Sequence, residues 1–358
     1  MLTMNMKSPL LLTAAVIACT FSLSVRAQAP AGSTSKPMGR EKTENNFIQY
    51  EVKNLQNERL GRITDLGVDL VYGRIVEVLV ESDSALNVAG KIVAVPPLAL
   101  VADPAEKVYR LNVSTEVFKT AAAIDVTQWE DTHRSDRVAA AYRLFGQVPY
   151  FLEEGDTASK TASRPKVLLG YVERCNKLMG MPVGNFQNAQ FGDVWSLTLD
   201  IPKGRILNVI VLAPGNFKTK SIIPAMALSF NAKRDALLLD DTKEEYADEP
   251  RYVFTEAAYG NEAYSHEETY KGPRTNVALE QGGSYRDIDR TAQIYQGIRA
   301  AKINHRHIEV GTINGRVTLR GWAYSAEDKQ RMGAIAIAAS RLELVDNQIT
   351  VGRPVALN

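Results

Sequence analysis

The chain has 358 residues, 45% of them hydrophobic, and a formal net charge of +1, which is the composition of a globular protein of two or three domains. Its 42 basic and 41 acidic residues nearly balance, and this argues against nucleic acid as the main partner, which would call for a concentrated positive face. Two cysteines and four histidines leave little material for a disulfide framework, a zinc centre or a nucleophilic triad.

At the N-terminus Lys7 precedes the apolar stretch Leu10 to Cys19, and Phe21 to Val25 leads into Val25-Arg26-Ala27. A basic start, a short apolar run and a small-residue end predict a secretory signal peptide over 1–27, cleaved after Ala27 and too short for a stable span. Its removal takes Lys7 and Arg26 and turns the net charge from +1 to −1. A second reading stands beside it: Val16-Ile17-Ala18-Cys19 resembles a bacterial lipoprotein cleavage box, which would make Cys19 a lipid-bearing N-terminus. The apolar Phe21-Ser22-Leu23-Ser24-Val25 weighs against lipidation, because a lipoprotein turns polar after its cysteine. Both readings place the chain in the periplasm or outside the cell, free or anchored through Cys19. Cys175 is then left without an intramolecular disulfide partner. Residues 28–43, rich in Ala, Pro, Gly, Ser and charge, read as a disordered spacer.

A β-rich block is written twice, over 44–120 and 166–242. In the first copy Leu60-Gly61-Arg62-Ile63-Thr64-Asp65 precedes a turn at Tyr72-Gly73, followed by the strand Ile75 to Val80, then Ile92 to Pro97 and Tyr109 to Val113, with Ser114 capping a helical turn. The second copy runs Met181 to Phe186, Val194 to Ile201, Gly204-Arg205-Ile206 to Val211, Ser221-Ile222-Ile223-Pro224 and Ala236 to Asp240. Phe191-Gly192-Asp193-Val194-Trp195 reads as an insertion in this copy, with Trp195 either a core aromatic or an anchor for a partner. Short strands divided by Gly, Pro and Asn turns predict a small antiparallel barrel in each copy.

The elements Leu60-Gly61-Arg62-Ile63, Gly73-Arg74-Ile75 and Val95-Pro96-Pro97 with their second-copy equivalents resemble the PRC-barrel family. The resemblance implies two compact barrels that pack against other macromolecules, with no catalytic residue to carry over. A ribosome-maturation relative in that family raises a nucleic-acid reading, which the export signal and the balanced charge oppose.

Within the connector 121–165, Val138, Ala141, Tyr142 and Phe145 fall at helical spacing. They predict a short helix whose apolar side packs on a barrel or, alternatively, binds a partner. The segment 243–284 is acidic and tyrosine-rich, running on from Asp240-Asp241. It lacks the alternating carboxylates and central glycine of a calcium loop and reads as a solvated linker.

From 285 to 354 the pattern changes. Ile288, Ala292, Tyr295 and Ile298 come after the candidate cap Asp287 at helical spacing, and Ile308-Glu309-Val310 and Val317 to Gly321 flank Asn314-Gly315, a type I′ hairpin turn. Ser325-Ala326-Glu327-Asp328 opens a helix through Met332, Ile335, Ala336 and Ala339, and Leu344 to Val351 closes the sheet. Gly315-Arg316-Val317-Thr318-Leu319-Arg320-Gly321 and Val345-Asp346-Asn347-Gln348-Ile349 resemble the BON domain. The resemblance implies an αββαβ fold, phospholipid binding and a place in the bacterial envelope; Leu342-Glu343-Leu344-Val345 departs from the family's usual glycine-valine pair.

With Val317 and Leu319 facing the helices, alternation sends Thr318, Arg320, Trp322 and Tyr324 to the opposite face, a cationic and aromatic surface suited to a lipid interface. Arg299, Lys302, His305, Arg306 and His307 form a second basic cluster that either meets phosphate headgroups or answers the helix dipole and stays solvated. His305 and His307 have no thiol or carboxylate at ligand spacing, so no metal is expected.

The chain is thus expected to be mainly β with α+β, two small barrels followed by a BON-like domain, and non-enzymatic, with no catalytic residue, cofactor or metal. The expected role is an envelope scaffold that contacts a phospholipid surface or an envelope protein, with Arg299, Lys302, Arg306, Arg320, Trp322 and Tyr324 as lipid-binding residues. The alternative is a pure protein–protein adaptor that binds no lipid.

Overall fold

The computed structural model describes residues 40–42, 50–88, 90–130, 134–152, 168–215, 219–247, 251–253, 279–340 and 344–353. The expected signal peptide, Cys19 and most of the spacer and acidic linker lie outside the described residues.

Strand β1 (Arg40–Lys42) comes first. The first copy then sets β2 (Glu51–Lys53), β3 (Arg59–Asp69), β4 (Arg74–Ser82), β5 (Ile92–Val95), β6 (Leu100–Asp103) and β7 (Val108–Leu111) in the order β5-β4-β3-β2-β7-β6, with only β2 and β7 parallel. The turn from β2 to β3 is organised by Asn54, whose Oδ1 accepts the amides of Gln56 and Glu58 at 3.0 and 2.8 Å. This lets Asn57 take the left-handed conformation at φ 65°, one that asparagine tolerates. Helix α1 (Thr115–Thr120) is next, capped by Ser114 as expected.

In the connector, α2 (Arg134–Leu144) packs on the outer face of β4 and β5. Val138 and Tyr142 are buried and the Tyr142 hydroxyl donates to the Val76 carbonyl at 2.9 Å, so the predicted apolar stripe is used within the chain. β8 (Glu173–Arg174), paired with β3, and α3 (Cys175–Leu178) lead into the second copy.

There β9 (Pro182–Asn185), β10 (Gln190–Asp200), β11 (Arg205–Leu212), β12 (Thr219–Pro224), β13 (Leu228–Phe230) and β14 (Leu237–Leu239) repeat the order as β12-β11-β10-β9-β14-β13, again with one parallel pair, β9 and β14. Asn185 rebuilds the Asn54 turn, its Oδ1 accepting the amides of Gln187 and Ala189 at 3.0 and 2.8 Å, and Asn188 stands at φ 63°. β1 pairs with β10, so the end of the expected disordered spacer is part of the sheet. The start of the expected linker is also structured: α4 (Lys243–Ala247) stacks Tyr246 on Phe191 at 4.0 Å, and β15 (Arg251–Val253) pairs with β12.

Two expectations are corrected. Phe191-Gly192-Asp193-Val194 is no insertion, since β3 and β10 are both 11 residues long. A Cβ on Gly61 would meet the Glu81 carbonyl and one on Gly192 the Leu212 carbonyl, so the two glycines occupy the same place in their copies. Trp195 is half-buried, with the Lys220 ammonium 2.7 Å above its ring. Among the described residues, moreover, neither copy closes into a barrel. The sheets are open and joined to each other, and one apolar core cluster runs through both copies. Strand spacing in a sequence marks which segments are extended, not whether the first and last of them pair.

The join explains the doubled Gly-Arg-Ile motif. The Ile75 amide donates to the Gly204 carbonyl and the Ile206 amide to the Gly73 carbonyl, both at 2.8 Å, with Arg74 opposite Arg205. Gly73 and Gly204 stand at φ 59° and 60°, a left-handed turn that brings the backbones together without the penalty a side chain would add. Each motif is therefore the other's partner, as in an isologous dimer.

The C-terminal domain packs α5 (Tyr285–Ala300) and α6 (Ala326–Ala339) on β16 (Ile308–Ile313), β17 (Arg316–Ala323), β18 (Val345–Asn347) and β19 (Thr350–Val351). α5 is capped by Ser284 rather than Asp287. Asp287 instead bonds the Ser284 hydroxyl at 2.8 Å and accepts the amides of Asn314 and Gly315 at 3.0 and 2.8 Å, tying helix to hairpin turn. Asn314 and Gly315 have positive φ, 50° and 80°, as a type I′ turn needs. The α6 capping box, with Ser325 bonded to the Asp328 amide at 3.0 Å, is as predicted.

Candidate functional site

The hairpin register sets the site. Ile308 pairs with Gly321 across β16 and β17, so the next position outward brings His307 opposite Trp322. Their rings stack at 4.0 Å and 17°, and Tyr324 meets Trp322 edge-on at 4.9 Å and 63°. Trp322 is half-buried and Tyr324 is 43% exposed.

These rings line a pocket of about 240 Å³ together with Arg306, Arg353 and Glu245, the last contributed by α4 of the second copy. Glu245 Oε2 accepts the Thr242 amide at 3.0 Å and its hydroxyl at 3.1 Å. The amide above all holds this carboxyl below the usual range, so it is charged. Burial first, then the positive charges of Arg306 and Arg353, lower the His307 imidazole to about 3. His307 is therefore neutral at neutral pH and acts as an aromatic plate.

The second basic cluster mostly faces inward. Arg306 is 5% exposed and ion-paired with the buried Asp241, whose carbonyl accepts the Asn185 side-chain amide at 2.9 Å. Arg299 donates to the carbonyls of Met226 and Leu228 at 2.5 and 2.9 Å, and burial depresses its guanidinium pKa. His305 lies with its ring nitrogens 3.1 Å from the Ile303 and Met226 carbonyls; burial lowers its pKa. Arg299, His305 and Arg306 hold the C-terminal domain on the second copy, so they neither stay solvated at the helix end nor lie open to phosphate headgroups, the two roles expected of them. A run of cations at the C-terminal end of a helix is readable in sequence, but the carbonyls that answer it come from a strand end far away in the chain.

Of the other expected residues, Lys302 is exposed in the left-handed residue after α5, and Arg320 is ion-paired with Glu309 at 2.6 Å. The structure thus brings together Trp322, Tyr324 and Arg306, while Arg299, Lys302 and Arg320 stand apart from the pocket. Sequence reasoning missed Glu245 and Arg353 and took His307 as a charge. Counting outward from Asn314-Gly315 would have placed His307 beside Trp322.

Residues 287–353 match the family model of the BON domain. No curated protein matches the chain. Among the described residues no helix is long and apolar enough to cross a membrane, and no group of three or more His, Cys, Asp or Glu is arranged to hold a metal ion.

Proposed function

We propose that this is a non-enzymatic protein of the bacterial envelope in which the two β copies, PRC-barrel-like in sequence, form a scaffold and the BON domain contacts phospholipid. The carrying observation is the Trp322–His307–Tyr324 cluster at an open pocket of the BON domain. Amphipathic rings of this kind take up positions at a lipid–water interface. The export signal expected over 1–27 and the family's association with envelope lipids favour the same reading.

Sedimentation with mixed phosphatidylethanolamine and phosphatidylglycerol vesicles tests it. The full chain is expected to pellet, and a Trp322→Ala/Tyr324→Ala variant to remain in the supernatant. If the wild-type chain also stays in the supernatant, the lipid reading fails.

The adaptor reading draws on a different observation: the two matching asparagine turns present Leu55 and Phe186 with 58% and 56% of their surface exposed. A photo-crosslinker at each position that captured one envelope protein in cells, with no vesicle binding in vitro, would favour that reading.

A further inference from the structure

The charges around the pocket already have partners. Arg306 is ion-paired with the buried Asp241. Glu245 accepts the Thr242 amide and hydroxyl at 3.0 and 3.1 Å and stands in the field of Arg306, and Arg353 is not without a partner either. His307 brings no charge. A ligand with a net charge would therefore add one that this lining does not match, which is costly in a site walled by three rings. An acyl chain would fare no better, because it would cover Arg306, Glu245 and Arg353 and return no hydrogen bond.

The rings narrow the choice further. The near-parallel pair, His307 on Trp322, is already in contact at 4.0 Å and 17°, while Tyr324 stands at 63° to Trp322 and at 55° to His307. These three rings leave no parallel slot for a flat heterocycle; they form a corner. A corner of π-faces suits a puckered ring whose weakly positive C–H groups turn toward the negative faces of the aromatics. Hydroxyls on that ring, each able to donate and to accept, bond the polar side without adding charge. At about 240 Å³ the pocket is smaller than the roughly 300 Å³ at which drug-sized sites begin, so it holds one such ring. We infer that this pocket binds a neutral pyranose, a single sugar unit that is free or the head of a glycolipid, with its C–H face on Trp322 and Tyr324 and its hydroxyls toward Glu245 and Arg306. The inference goes beyond the lipid reading and does not depend on it.

The full chain is titrated with methyl glucoside, methyl galactoside and N-acetylglucosamine, with glycerol phosphate and ethanolamine as charged controls, following the Trp322 indole N–H resonance, assigned with Trp322→Phe. At least one sugar is expected to shift it saturably, with an affinity that does not change as salt is raised, since a neutral ligand has no charge to screen. The charged compounds should bind at least about 10-fold more weakly. Tyr324→Leu, at an exposed position, should weaken the sugar about 2- to 10-fold, the range of one aromatic contact.

A Trp322 resonance that none of the three sugars moves overturns the inference, as does a sugar affinity that Tyr324→Leu leaves intact. Glycerol phosphate or ethanolamine binding as tightly as the best sugar, or an affinity that falls with salt, would make this a charged-headgroup site and overturn it too. Sedimentation separates the sources: pelleting with phosphatidylcholine vesicles that carry monoglucosyl diacylglycerol, reversed by the free sugar, identifies the glycolipid, and sugar binding without such pelleting identifies the free sugar. Sugar binding without sedimentation on phosphatidylethanolamine and phosphatidylglycerol vesicles upholds the pocket and overturns the lipid reading. Sedimentation on those vesicles with no sugar shift does the reverse.

Discussion

The two β copies share strand order, the asparagine turn and the Gly-Arg-Ile join, yet equivalent residues in them hold different neighbours. Arg74 is sealed in the interior, ion-paired with Asp69 at 2.5 Å and bonded to the Leu168 carbonyl at 2.9 Å, which fastens the segment that follows the connector and leads into β8. Arg205, facing it across the join, reaches the carbonyls of Leu279 and Val310 and so fastens the BON domain. The middle residues of the short turns after β5 and β12 divide in the same way: Leu98 packs with the connector's aromatic cluster and Met226 enters the BON core. A duplicated scaffold has the same anchor points twice, and the segment C-terminal to each copy decides which part of the chain is anchored there.

The two copies should differ most sharply at the arginines. Arg74→Ala would strand the fully buried Asp69 carboxylate, which also accepts the Gly170 amide at 3.0 Å, and is expected to cost about 3–5 kcal/mol, as for other broken buried pairs. Arg205→Ala removes its charge-assisted bonds to the Leu279 and Val310 carbonyls, and about 1.5–3 kcal/mol is expected from their loss. Urea unfolding of both variants checks the order; equal losses would mean that the two arginines play one symmetric role.

Met226→Ala should cost about 2–5 kcal/mol as a core truncation, with Met226 only 5% exposed. Leu98→Ala, at a half-buried position, should cost less. Thermal unfolding compares the two, and limited proteolysis should show Met226→Ala releasing the BON domain. The join itself should respond symmetrically: Gly73→Ala and Gly204→Ala each force a side chain into the left-handed region, for about 1–2 kcal/mol apiece. A clear inequality would say that the two halves of the join are not equivalent.

Local chemistry was legible in the sequence wherever it is self-contained. Asn314-Gly315 gave the hairpin and thereby the Trp322 face, Ser325 to Asp328 gave the α6 cap, and Val138 to Phe145 gave the connector helix. Long-range pairing was not. Nothing in Gly73-Arg74-Ile75 says that its partner is its own repeat, because both are ordinary turn-to-strand starts until the chain is folded. The cations Arg299 and Arg306 were misplaced for the same reason, since their acceptors lie at the end of the second copy. Glu245, inside a run that reads as solvated acid, becomes part of a pocket only because α4 docks through Tyr246.

The smallest effect expected is one of pH, and it distinguishes the two faces. His307 has its folded pKa at about 3 against about 6.5 in an unfolded chain. Between those values the unfolded state binds a proton that the native state refuses, so stability rises with pH across the window and is lost as pH falls through it, by at most about 1.4 kcal/mol per pH unit. His305, also lowered, acts in the same direction at the contact with Met226. On the connector face the buried phenols of Tyr142 and Tyr150 are pushed up by burial and titrate only in alkali. Asp65, beneath α3, is raised by burial above all, so falling pH favours the native form at that carboxyl and does not cost stability there. Mild acid should therefore loosen the BON side first. Hydrogen exchange at falling pH, corrected for intrinsic rates, should show protection lost in α5 and β16 before α2, and His307→Gln should narrow the gap. Simultaneous loss in both regions, unchanged by His307→Gln, would mean that the neutral imidazole does not set the acid limit of the seam.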